Sequence, residues 1–130
     1  MEAIAPAEIV VRGGDSAPYE ARTALAGELA GEVDERVVET ARLLVSELVT
    51  NSVVHGGVGP DGWVRTSLAF DGDRVHVEVR DSGTCVAPTP RPPDRTSGGG
   101  FGLFLVDALA SRWGAEAGPD VRVWFDVELA

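Results

Sequence analysis

An α+β two-layer sandwich, with helices on one face of a mixed, mainly antiparallel sheet, is the fold this sequence predicts, and three patterns predict it. Apolar residues recur at helical spacing through the first half, from Ala21, Leu25 and Leu29 to Val37, Ala41, Leu44 and Leu48. Strict alternation then runs over Val64–Phe70 and Arg74–Arg80, and again over Val121–Leu129. The order of elements, helices first and then hairpin, helix, hairpin, places the helices over the apolar face of one sheet. At 130 residues the chain has room for a single domain, residues 1–130, with a proper core.

Ala7–Arg12 (AEIVVR) reads as a short edge strand ended by Gly13-Gly14. Ser16 is positioned as an N-cap with Pro18 in the first turn, where a missing N–H costs little, and Gly31 stops that helix. Asp34 caps the next helix, and Glu35 suits the positive end of its dipole. This second helix runs to His55, before Gly56-Gly57. Its positions Glu47, Asn51 and His55 fall every fourth residue, a polar stripe on a helix otherwise wrapped in Leu43, Leu44, Leu48, Val49, Val53 and Val54. Asp71-Gly72 joins the two alternating runs into a hairpin. Residues 84–100, with Pro88, Pro90, Pro92 and Pro93 and three closing glycines, have no periodicity and read as a mobile loop, of which Thr84–Ser97 is expected to order over bound phosphates, with Arg91 and Arg95 in reach of them. Helix returns at Gly102, apolar nearly all round and hence buried, and stops near Gly114. Two strands close the chain. In the second, Val121, Val123, Phe125, Val127 and Leu129 share one face and Arg122, Trp124, Asp126 and Glu128 the other. Tryptophan on that second face, with Trp63 a candidate to join Trp124, suggests a covered surface and a homodimer.

The charge balance narrows the partners. Twenty-one acidic residues against 11 basic ones give a net charge of −10, which disfavours a nucleic acid or any other polyanion. Every basic residue is arginine, and GxxxxGK[ST] is absent, so a phosphate site has to be built from backbone amides and arginine. Cys85 is the one cysteine, and MEAIAPAE lacks a basic region followed by an apolar core; both point to a reducing cytoplasm. The most apolar run, FGLFLVDALA, is interrupted by Asp107 and is too short to span a bilayer. A soluble chain without a membrane partner is expected.

Three clusters have the residue types for nucleotide chemistry, and each also has a plain structural reading. The Glu47/Asn51/His55 stripe is what the solvated face of any amphipathic helix looks like; read functionally, the Asn51 carboxamide is an oxygen ligand suited to Mg²⁺ otherwise held by phosphates and water. Asp81 before Ser82-Gly83 fits an ordinary turn. It equally fits a carboxylate that accepts from an exocyclic amine such as adenine N6, with Gly83 letting a ring approach the backbone. Gly98–Gly102 is either a flexible hinge or, standing before a buried helix, a phosphate cradle of backbone amides.

The ordered combination is the specific signal. SELVTNSVVHG resembles the N-box of the GHKL ATPases, VRDSGT their first glycine box and GGGFGLFLVDALASRWG their second, with the small bacterial anti-sigma factor serine kinases most similar among them. That resemblance spans about Leu43 to Trp124. It implies ATP and Mg²⁺ as cofactors, Asn51 as the metal ligand, Glu47 as general base, Asp81 with Gly83 at the adenine, and Gly100, Gly102 and Leu103 closing over the phosphates. It further implies an anti-sigma factor antagonist as serine phosphoacceptor, a sequestered sigma factor and, from several members, a homodimer. His55 matches the family pattern by position. The first box departs from D-x-G-x-G at Cys85, where a side chain replaces a glycine; if positive φ is needed there, nucleotide binding suffers by roughly 1–2 kcal/mol. A histidine kinase catalytic domain would share the nucleotide site, but the chain shows no upstream dimerisation helices or phosphoacceptor histidine. A module that binds ATP without transferring phosphate is the other alternative.

Overall fold

A computed structural model describes residues 7–54, 57–70, 73–81, 102–117 and 120–129. Five strands and three helices follow in the order β1 (Ala7–Arg12), α1 (Ala17–Leu29), α2 (Glu35–Val54), β2 (Trp63–Phe70), β3 (Arg74–Asp81), α3 (Gly102–Leu109), β4 (Arg112–Ala117) and β5 (Val121–Glu128). The sheet order is β1-β2-β3-β5-β4, and all four pairings are antiparallel, so the sheet is not mixed among the described strands.

Local signals set the helix ends. Pro18 lies in the first turn of α1, and Ser16 holds the N-cap position, although its side chain makes no capping bond. Ala30 follows the last turn, and Gly31 takes the left-handed turn at φ 79° that a helix C-terminus favours. At the start of α2, Asp34 Oδ1 accepts from the Arg36 amide at 3.4 Å. One core fills the space between the layers: Ala17, Ala21, Leu25 and Leu29 of α1 and Val37, Ala41, Leu44, Val45 and Leu48 of α2 meet Val64, Leu68, Val75, Val77, Val123 and Phe125 of the sheet. α1 packs over β1 and β2, α2 over β3 and β5, and α3 against α2 and β4. Thus α2 occupies the middle of the helix layer with a neighbour on each flank.

The sequence reading overextends α3. The helix ends at Leu109, because β5 captures the next donors: the Ser111 amide and hydroxyl both donate to the Asp126 carbonyl, at 2.8 and 2.9 Å. Gly114 therefore lies inside β4, not at a helix end. It stands opposite Trp124, and a Cβ there would come within 2.6 Å of the indole Nε1, closer than atoms tolerate. The helix is also not enclosed all round. Val106 is fully buried, but Phe104 and Leu109 are exposed, as befits the rim of a helix layer with one open side.

The other sheet face is polar and aromatic. Trp124 lies 5.5 Å from His76 between ring centroids, with the Arg112 guanidinium over the indole. Trp63 shares this face but not the patch: it stands opposite Arg12, whereas Trp124 stands opposite Glu78, in the row of Ser67. One intervening strand, β3, and an offset of four residues separate the tryptophans, so they do not meet.

Candidate nucleotide site

The site is organised by α2. Ser46 faces α1, since Arg22 Nη1 donates to its hydroxyl at 3.3 Å. Successive helical residues turn by about 100°. With Leu44 and Leu48 pointing into the core, Glu47 and Asn51 emerge on the flank away from α1, the flank on which α3 packs. Both side chains are half-buried. Burial pushes the Glu47 carboxyl up from the ordinary glutamate range, because the charged form loses hydration there. A carboxylate raised toward neutral pH is better matched to accepting a proton at its operating pH.

Asp81 is the last residue of β3 and points toward the helix layer, 5% exposed. Its Oδ2 accepts from the Ser52 hydroxyl at 2.6 Å. This bond ties the end of β3 to the helix turn that carries Asn51. Thr66 sits on the same inner sheet face, one diagonal step from Asp81 in the β2–β3 ladder; its Oγ1 is buried with no hydrogen-bond partner among the described residues. Gly102 and Leu103 open α3, the helix that packs on this flank of α2. Gly83, Cys85, Gly100, His55 and the expected loop over residues 84–100 lie outside the described residues.

Ser52 escaped the sequence reading, although a signal for it exists. It occupies the position four after Leu48 and eight after Leu44, a polar residue in the apolar stripe of α2.

Asn51 offers a carbonyl oxygen of the kind Mg²⁺ prefers, on the helix turn that Ser52 ties to Asp81, so the residues present suit a metal–nucleotide complex. No group of three or more histidine, cysteine or acidic side chains gathers among the described residues.

Comparison with known proteins agrees with this geometry. A chain from Mycobacterium tuberculosis containing the RsbU and RsbW domains of Rv1364c superposes with a TM-score of 0.69 over 97% of this chain at 24% identity, and so shares the fold. This chain spans about a third of that one, 32% of its length. An uncharacterised protein of Streptomyces coelicolor is 37% identical over 79 residues, covering 60% of this chain and 74% of the relative. Residues 17–125 match the family model of the histidine kinase-like ATPase domain, a stretch that contains α1, α2, Asp81 and α3 together. With the matched stretch covering most of the sequence and every described element of the site inside it, the chain belongs to the histidine kinase-like ATPase domain family.

Proposed function

We propose that this protein is an ATP-dependent serine/threonine kinase of the anti-sigma factor type, which phosphorylates an antagonist protein and sequesters a sigma factor. The observation that carries the reading is the joining of Asp81 to α2 through Ser52, beside Asn51 and one turn from Glu47, in a chain of this ATPase family. The fold shared with a chain that contains an RsbW domain supports the anti-sigma branch.

In this reading Asp81 accepts from the adenine amine, Asn51 contributes its amide oxygen to Mg²⁺, and the start of α3 at Gly102 and Leu103 lies at the phosphates with Gly100. Gly83 allows the purine to approach the backbone. The metal, when bound, neutralises phosphate charge. Glu47 accepts the proton of the incoming serine hydroxyl, its carboxyl raised by burial toward the pH at which it works. The protein acts in the cytoplasm; no helix among the described residues is long and apolar enough to cross a membrane. It works as a homodimer through the Trp124 face, which light scattering at high micromolar concentration tests: a monomer with and without nucleotide counts against it.

The deciding experiment is transfer of labelled γ-phosphate from ATP·Mg²⁺ to a candidate antagonist protein. Phosphoserine on that protein supports the kinase. ATP binding without transfer instead supports the alternative, a module in which nucleotide acts only as a conformational ligand.

A further inference from the structure

Ser52 is 6% exposed at a core-facing position of α2, where a small apolar residue would pack without needing a partner. Its Oγ lies 2.6 Å from Asp81 Oδ2 and 3.3 Å from the Leu48 carbonyl oxygen. A serine hydroxyl carries one proton. A helical serine commonly returns it to the carbonyl four residues back, and here that contact is the long one. The short one falls in the range of a charge-assisted O–H···O⁻ bond, so the proton goes to the carboxylate. The donor itself is anchored, because the Ser52 carbonyl accepts from the Val58 amide at 3.1 Å and closes the end of α2 onto the following segment.

We infer that Ser52 is a positioning residue for purine recognition: by holding Oδ2 it fixes the rotation of the Asp81 carboxylate, turns Oδ1 toward the base, and thereby sets selection of a 6-amino over a 6-oxo purine. This rests on the reading of Asp81 as the acceptor for the adenine amine. A 6-amino group donates to a carboxylate, whereas a 6-oxo group presents a second acceptor. That discrimination needs the carboxylate plane held still, since a site built to hydrogen-bond one group rejects an analogue only when its own polar atoms cannot turn away. Asp81 ends a strand, and a hydroxyl donated to it from another element restricts χ1 and χ2 further than the strand's own geometry does. Ser52 reaches it from the helix layer.

The test measures Kd by titration calorimetry for ATP, GTP and purine riboside triphosphate, which lacks the 6-amino group, on the wild type and Ser52→Ala. The wild type is expected to bind ATP at least tenfold more tightly than either other nucleotide. Ser52→Ala should lose about tenfold for ATP and less than twofold for purine riboside triphosphate, the loss of one hydrogen bond acting through another. Equal losses for both nucleotides would mean a general structural effect and overturn the positioning role. A wild type that binds all three alike would overturn the inference through Asp81, and one that binds none would remove the proposed function with it. The isosteric pair Ser52→Thr and Ser52→Val keeps the question answerable should the alanine variant fail to fold. Threonine retains the donor and should retain the preference for ATP; valine should lose it, and a valine variant that still selects ATP refutes the role.

Discussion

Glu47→Gln is the substitution on which the kinase reading turns, because the structure gives it two separable consequences. Glutamine keeps the size of the side chain and removes the site for a proton. If Glu47 is the general base, transfer to the antagonist falls by roughly 10² to 10⁴, which corresponds to about 3–5 kcal/mol of transition-state stabilisation. ATP affinity stays within a few-fold, since a group that acts only as the hydroxyl is deprotonated adds nothing to ground-state binding. The second consequence concerns stability. Burial raises the folded-state pKa of Glu47 above its unfolded value. Between those two values the folded chain binds more protons than the unfolded chain, so wild-type stability falls as pH rises through the window and stays lower above it. Glutamine abolishes that loss. The variant should melt at or above the wild-type temperature at neutral pH, with the gap closing as pH falls toward the ordinary glutamate range. Single-turnover phosphotransfer, ATP titration and thermal melts between about pH 4 and about pH 7.5 report the three quantities. Unchanged transfer refutes the base assignment, and a variant less stable than wild type at neutral pH refutes the desolvation argument.

Other substitutions test the remaining parts of the site and the sheet. Asn51→Ala should abolish the Mg²⁺-dependent component of ATP binding while leaving metal-free affinity intact, as titrations with and without Mg²⁺ would reveal. Asp81→Asn should weaken ATP binding about tenfold or more, because an amide donor turned toward the adenine amine leaves an unsatisfied pair costing about 1–3 kcal/mol; an unchanged Kd would remove Asp81 from the base pocket. Gly114→Ala brings a Cβ to 2.6 Å from Trp124 Nε1 and should cost about 1–3 kcal/mol in a thermal melt. Since Gly114 and Trp124 lie on the sheet face away from the helices, ATP affinity should not change.

Much of the fold was legible because the two periodicities are clean. Val75, Val77 and Val79 alternate with Arg74, His76 and Glu78, and all three valines are buried in the structure. The boundary between α3 and β4 was not legible. Gly114 resembles a helix stop by type, while its actual constraint is the Trp124 indole across the ladder, and the event that ends the helix is a pair of hydrogen bonds to a carbonyl 15 residues downstream. Such constraints are tertiary and leave no trace in local spacing. Of the residues proposed for the site, Glu47, Asn51 and Asp81 stand out in the sequence as residue types in an ordered pattern, and the structure adds which flank of α2 the first two share. Ser52 was not, because serine on a buried stripe is ordinarily silent, and only the arrival of the β3 terminus beneath it gives it a partner.

Among the described residues the sheet carries two buried aspartates, and they stand in different surroundings. Asp126 is 4% exposed on the outer face, where His76 Nδ1 stands 2.6 Å from Oδ1 and Arg74 Nη1 3.8 Å from Oδ2. The carboxylate accepts only, so Nδ1 carries the proton. A buried carboxylate paired with an imidazole and a guanidinium has its desolvation offset within the chain, and its position on β5 follows the alternation of that strand. Asp81 breaks the corresponding rule. It continues the apolar series Val75, Val77, Val79 on the face that packs against the helices, where the pattern calls for another aliphatic side chain. An apolar residue there would extend the core and release Ser52 from serving as a donor. A carboxylate is therefore retained at that point against the stability of the sandwich, and it is held by the helix that also carries Asn51 and Glu47. The place where the sequence works against its own packing is also where the helix carrying Asn51 and Glu47 is tied to the sheet, which is why we propose Asp81, and not the equally buried Asp126, for the nucleotide site.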